Sequence, residues 1–101
     1  MKWIDEKVLQ KYFKESFKQY NDWFLTEYNQ KVTSVSYNPQ FDKYPDVYAT
    51  LEDGRIIPIE FEWTTKNFDH DPTILEQQDG AIVVLQNNDP LFSIRHLDLD
   101  E

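Results

Sequence analysis

Three carboxylates, Asp46, Glu60 and Glu62, stand within Tyr44 to Trp63, YPDVYATLEDGRIIPIEFEW, on two stretches that alternate apolar and polar residues. Carboxylate oxygens are hard donors, and two of them held on adjacent strands suit Mg2+ or Mn2+ while leaving positions for water and a phosphate oxygen. Just downstream, Lys66, Asn67 and His70 add a cation, an amide and an imidazole. Far upstream, Lys7, Lys11, Lys14 and Lys18 recur at a spacing that makes a narrow stripe on a helix. Such a stripe is either a solvated face or a surface for phosphates.

Whether the acids meet depends on the backbone that carries them. Val47, Ala49 and Leu51 alternate with Asp46, Tyr48 and Thr50, and Ile57, Ile59, Phe61 and Trp63 alternate with Ile56, Pro58, Glu60 and Glu62. That is the period of half-buried strands, so the stretch reads as a hairpin with Glu60 and Glu62 on one face. A two-residue turn at Asp53-Gly54 sets Asp46 opposite Phe61 and separates the carboxylates. A three-residue turn, Glu52-Asp53-Gly54, with Gly54 in the left-handed conformation, pairs Leu51 with Arg55 and Asp46 with Glu60. The second register is expected, because it also gathers Val47, Ala49, Leu51, Ile57, Ile59 and Phe61 on the opposite face. Pro58 has no donor for a ladder, so its nitrogen must meet a bulge or an unpaired position.

The chain of 101 residues is long enough for one core, and 16% aromatic residues argue for a packed domain, 1–101. Without cysteine, disulfides and thiolate metal sites are excluded. The N-terminus carries charges through what would be the apolar core of a signal peptide, and no run approaches a membrane span, so a cytoplasmic protein with no membrane partner is the default. The net charge of −9 is unevenly placed: residues 1–31 hold six Lys against five acids, for +1, and residues 32–101 hold four basic residues against fourteen acids, for −10. An acidic surface of that kind suits solubility, a basic partner or divalent cations, and leaves the first third of the chain as the place for phosphates.

From Trp3 to Asn29 there is no Gly or Pro, and apolar residues recur at helical spacing, which predicts one long helix over 3–29 with Glu27 near the middle of its apolar face and Glu6 at its edge. Unbroken, it measures roughly 40 Å. Either a second copy covers its overhanging aromatic face, making a homodimer through Trp3, Tyr12, Phe13 or Trp23, or the helix bends near Ser16. Lys31 to Tyr37 then reads as a first strand with Thr33, Val35 and Tyr37 on one face. After the hairpin, Asp71-Pro72 opens a short helix over 72–78, with a capping box from Thr73 to Glu76 in competition. Asp79-Gly80 stops it. Ala81 to Leu85 is an apolar run expected of a strand buried on both faces and parallel to a neighbour, and Phe92 to Leu97 is a last short strand.

The order is helix, strand, two-stranded hairpin, short helix and buried strand, αβββαβ in an α/β fold. That order, with Pro45-Asp46 opening the second strand and Glu60-Phe61-Glu62 on the third, resembles the PD-(D/E)XK nuclease superfamily, the restriction-endonuclease-like fold. Asn67 to His70, with Asp71-Pro72, is similar to a group of its small, mostly archaeal members. The resemblance covers nearly the whole chain and implies a mixed sheet with a long N-terminal helix. It also implies catalytic Asp46, Glu60 and Glu62, a Mg2+ or Mn2+ ion held by Asp46 and Glu60, and hydrolysis of DNA phosphodiesters.

Glu62 stands where the family carries Lys. Some members are similar in having Glu there, as base or outer ligand, with Lys66 as the replacement cation; loss of activity is the other reading. His70 is either a ligand or proton shuttle, or a loop histidine bonded locally, and Asn67 either positions a phosphate or caps a strand end. The expected function is therefore a Mg2+-dependent endonuclease, or a degenerate relative, with DNA and a second copy as partners and Lys7, Lys11, Lys14 and Lys18 on the nucleic acid. The alternative is a non-catalytic module that presents an acidic sheet face to a basic protein.

Overall fold

The computed structural model describes residues 6–40, 44–68, 72–89 and 91–99. The helical N-terminal stretch is present but divided: α1, Glu6–Ser16, gives way to a 3-10 turn at Phe17–Tyr20 and then to α2, Asn21–Tyr28. The break falls at Ser16, whose φ/ψ of −125°/11° leave the helical region and whose hydroxyl donates to the Tyr12 carbonyl one turn back. Hydroxyl back-bonding of this kind bends helices. The continuous helix expected over 3–29 would also exceed a molecule measuring 32 × 28 × 26 Å. After the bend, Leu9 and Phe13 from α1 and Phe24 and Tyr28 from α2 enter one core. Of the aromatic face, Phe13, Phe24 and Tyr28 are thus used within the chain with Trp23 packed against them, while Tyr12 is exposed and Trp3 lies outside the described residues. Asn29, with φ of 59°, closes α2 by donating its N–H to the Leu25 carbonyl.

Five strands follow, β1 (Val32–Tyr37), β2 (Val47–Leu51), β3 (Ile56–Thr64), β4 (Ala81–Gln86) and β5 (His96–Asp98), with α3 (Thr73–Gln77) between β3 and β4. They form one sheet in the order β1-β2-β3-β4-β5. The first three are antiparallel neighbours, and β3, β4 and β5 are parallel. A register slip between Val32 and Ser34 lets both Val32 and Val35 face inward and leaves Thr33 exposed in the bulge, while Val35 and Tyr37 keep the common face expected of them, opposite Ala49 and Val47, with Tyr37 exposed at the strand end. β4 is buried from Ala81 to Val84 and parallel to both neighbours, as its unbroken apolar run predicts. The last strand begins at His96 rather than Phe92. Phe92 and Ile94 pack instead with Leu75 and Phe68 over Ile82 and Val84.

The larger core lies between the helices and the sheet face bearing Val47, Ala49, Leu51, Ile57, Ile59, Phe61 and Val83, and the smaller one lies under α3 on the other face. Pro58 is accommodated without a bulge. Leu51 and Arg55 form a hydrogen-bonded pair and the ladder alternates, so the Pro58 nitrogen points toward β4, whose pairing with β3 starts only at Ile59 and Ala81. Gly80 fills that gap, since a Cβ there would sit 2.7 Å from the Pro58 carbonyl oxygen. Pro72 occupies the N-cap of α3 expected of Asp71 or Thr73, its carbonyl accepting from the Glu76 N–H at 2.9 Å. Among the described residues no helix is long and apolar enough to cross a membrane.

Candidate functional site

The hairpin turn decides where the carboxylates go. Leu51 donates its N–H to the Arg55 carbonyl at 2.8 Å, Gly54 donates to the Leu51 carbonyl at 2.9 Å, and Gly54 has φ of +89°. This is the three-residue turn, and pairing runs from Thr50 and Ile56 to Val47 and Ile59. The ladder stops at Val47 and Ile59, so Asp46 lies just outside it; within it Tyr48 and Pro58 face away from the Val47 side, and Glu60 and Glu62 continue their face along β3. Across β3, Glu60 lies opposite Ile82 and Glu62 opposite Val84, and His96 lies opposite Ile82 on the far side.

At Asp46 the chain leaves the sheet. The next ladder bond would join the Phe61 N–H to the backbone of residue 45; instead the Asp46 Oδ2 accepts it at 2.8 Å. Asp46 therefore finishes the β3 edge with a side-chain oxygen. Asn38 steadies the same bend, donating its amide to the Pro45 carbonyl at 2.8 Å and its N–H to the Asp46 carbonyl at 3.2 Å. The Tyr44–Pro45 peptide is cis. Tyr44 donates its hydroxyl to Gln78 Oε1 at 2.7 Å. Burial, then the Glu60 carboxylate and Tyr48, push that hydroxyl up to about 12, which places Glu60 beside the tyrosine pair.

The lysine stripe meets this corner from the other side. Lys7, Gln10 and Lys11 on α1 line a concavity of about 330 Å3 together with Tyr37 at the end of β1 and Asp46. Lys14 Nζ lies 5.7 Å from the centre of the Tyr37 ring. Lys18 sits on the 3-10 turn, past the bend, and is exposed. The break in the helix thus leaves three of the four lysines at the concavity or its border. Lys11 and Glu15 approach to 3.9 Å with both side chains largely exposed, a pair of small energetic weight.

The remaining expected residues separate. β3 ends at Thr64, so Lys66 does not continue its alternation; it stands on a 3-10 turn, Thr65–Asn67, with its N–H donated to Asn88 Oδ1 at 3.1 Å. The strand end is closed by Thr65, only 1% exposed, which bonds to Asn87 and Asn88, where Asn67 was one expectation. His70 and the side chains of Asn67 and Glu6 lie outside the described residues. Among the described residues, no group of three or more His, Asp or Glu is arranged to hold a metal ion. With one Asp46 oxygen already bonded to an N–H, the donor set fits at most a cation held by two carboxylates that fills its other positions with water and phosphate oxygens, a usual arrangement for Mg2+.

A second cluster escaped the sequence reading. Arg95 bonds to Asp79 and to Glu27, Arg55 bonds to Asp79 at 3.0 Å, and the Arg95 guanidinium lies 4.2 Å from the centre of the Tyr28 ring. Tyr28 donates its hydroxyl to the Asp79 carbonyl at 2.8 Å. Burial pushes the Tyr28 hydroxyl up to about 12 against the opposing pull of Arg95. Glu27 is exposed and ion-paired rather than drawn into a site. Five residues from four places in the chain meet here, and no local spacing announces it. Tyr37, Gln10, Tyr44 and Tyr48 were also missed as site residues; of these Tyr48 carried a signal, a tyrosine on the polar side of an alternating strand.

No protein-family model matches the chain, and no curated protein or solved structure matches it either.

Proposed function

We propose that the chain is a nuclease-like domain of the restriction-endonuclease-like class, acting on nucleic-acid phosphodiesters at the corner where β2 leaves the sheet. The observation that supports this reading is that Asp46, one residue before the β2–β3 ladder, accepts the Phe61 N–H between Glu60 and Glu62 and borders a concavity with Lys7 and Lys11. The mixed sheet, antiparallel through β3 and parallel beyond it, agrees with the αβββαβ plan. A divalent cation, Mg2+ or Mn2+, supplies positive charge against a phosphate oxygen and acidifies bound water, and Asp46 and Glu60 are the residues that would hold it. Glu62 is the carboxylate one row on that accepts a proton from water at its Oε atoms. Lys7 and Lys11 offset phosphate charge from α1.

The test is calorimetric titration of Mg2+ and of Mn2+ into the wild type, Asp46→Ala and Glu60→Gln, with cleavage of single- and double-stranded DNA followed in parallel. Binding and cleavage in the wild type, lost together in both variants, support the reading. Equal weak binding by all three and no cleavage favour a second reading, a non-catalytic module for a basic partner. That reading draws on the −10 charge of residues 32–101 and on the absence, among the described residues, of a three-donor group.

A further inference from the structure

We infer that the concavity between α1 and the end of β1 takes a single unpaired nucleotide, its base against the Tyr37 ring and its phosphate against Lys7 and Lys11. This rests on the nuclease-like reading and narrows its substrate to single strands or frayed ends. The size fits. About 330 Å3 lies near the lower end of pockets that enclose small ligands, roughly 300–1,000 Å3, which is room for a base with its phosphate but not for a duplex. The composition fits as well, since single-strand sites combine cations that follow the backbone with aromatic rings on which bases stack. Tyr37 is 43% exposed at a strand end, with Lys14 set 5.7 Å from its ring centre, and Lys7 and Lys11 stand one helical turn apart on the same wall.

The charge distribution favours an anion at this place. Residues 1–31 are the only net-positive part of the sequence, and α1 brings two of their lysines to the pocket. Arg55 and Arg95, the two arginines of the sequence, are paired with Asp79 at the far end of the parallel strands. A groove of about 440 Å3 on the opposite sheet face, lined by Tyr44, Tyr48, Pro58 and Arg55, has aromatic walls, but its one lining cation is paired with Asp79, whereas two lysines stand beside Asp46 in the first concavity.

The test is fluorescence anisotropy in EDTA with a 3′-labelled, 5′-phosphorylated oligothymidylate and a blunt duplex of equal strand length, across a range of salt. Expected are tighter binding of the single strand by tenfold or more, and a loss of about tenfold for Tyr37→Ala with an unchanged salt slope. Tyr37→Phe should bind as wild type. Lys7→Gln with Lys11→Gln should lower the slope by about 1.4, at about 0.7 per phosphate contact on single strands. All these positions are exposed, and coincident thermal melts confirm folding of each variant. Duplex binding equal to or tighter than single-strand binding, indifference to Tyr37→Ala, or no binding at all overturns the inference. Hydrolysis with Mg2+ separates it from the reading beneath it. The expected binding pattern without cleavage keeps the nucleotide pocket and removes the nuclease, whereas duplex cleavage insensitive to Tyr37→Ala does the reverse.

Discussion

At the starts of β3, β4 and β5, Arg55, Asp79 and Arg95 close on one another and on Tyr28; at the corner where β2 leaves the sheet, Asp46 gives one oxygen to a backbone N–H and lines an open concavity with two lysines. Both places hold opposite charges on neighbouring elements, yet they are used differently. At the first end each charge has a partner at hydrogen-bond distance. Burial works against the charge on Arg95, and Asp79 and Tyr28 more than offset it, so the guanidinium stays protonated. At the second, Lys7 and Lys11 line a wall that a ligand can reach. The first arrangement contributes stability, and the second is the one open to the anion proposed above. In parallel sheets ligands collect toward the carboxyl ends of strands, and the corner beside Asp46 is on that side of the arginine cluster.

The largest effect that bears on this contrast comes from the residue joining both regions. The Phe61 ring is 1% exposed and meets Phe13 edge-on at 5.7 Å, while its N–H holds Asp46. Phe61→Ala should cost about 3–5 kcal/mol in urea denaturation, the usual range for removing a buried aromatic. The backbone bond to Asp46 remains available, so the folded fraction should keep the binding properties of the corner. A cost below about 1 kcal/mol would mean that the helices are not anchored on β3 as described.

Next come the charges themselves. Arg95→Ala removes two ion pairs and the contact with the Tyr28 ring, and about 1–2 kcal/mol of destabilisation is expected from a partly buried network of this kind. Lys11→Gln, at the open corner, should change stability by no more than about 0.3 kcal/mol, because its partner Glu15 and the lysine itself are largely exposed. Equal costs for the two variants, measured by the same denaturation, would erase the distinction between a locked and an open region.

The locked region also carries a pH signature. The ordinary tyrosine value is near 10, and Tyr28 is pushed up to about 12, so the folded state favours its neutral form. A raised value of this sort contributes stability that is fully present below about pH 10 and is lost as pH rises through about 12. Tyr44, raised to about 12 at the other region, adds a contribution of the same sign. Phenolate absorbance should show these tyrosines ionising late, and denaturation midpoints should fall between about pH 10 and 12. Tyr28→Phe should reduce that fall; an unchanged pH dependence would place the ionisation elsewhere.

What could be read in advance follows from how locally each feature is encoded. The hairpin register was legible because two independent patterns, the alternation of Val47 to Leu51 and Ile57 to Phe61 and a glycine at the third turn position, agree on it. β4 announced itself by being apolar throughout. The helix break was harder, since Ser16 has no strong propensity against helix and the bend is set by how α1 and α2 must both reach the sheet. The bulge turned Thr33 alone off the face of Val35 and Tyr37 for the same reason: pairing with β2, rather than the residues of β1, fixes the register. The arginine cluster was invisible because Glu27, Tyr28, Arg55, Asp79 and Arg95 are brought together only by topology. The role of Asp46 was half visible, its position following from the register and its bond to Phe61 only from where β2 ends.

The smallest effect expected is the one that tests how Asp46 divides its two tasks. Asp46→Asn removes the negative charge but keeps a carbonyl oxygen that can accept from the Phe61 N–H, so folding should change by no more than about 0.5–1 kcal/mol. The carboxylate shares its concavity with Lys7 and Lys11 and opposes any phosphate bound there, by about 1 kcal/mol for charges about 4 Å apart in a solvent-like dielectric. Metal-free affinity for a phosphorylated oligonucleotide should therefore rise about fivefold in the variant. With Mg2+ added the order should reverse, because the wild-type carboxylate can hold a cation between itself and the phosphate while the amide holds it poorly. Affinities in EDTA and in Mg2+ for the two proteins give the four values required. A variant that binds more tightly under both conditions would leave Asp46 as a strand-end acceptor alone, and the open corner would then be a phosphate site without metal chemistry.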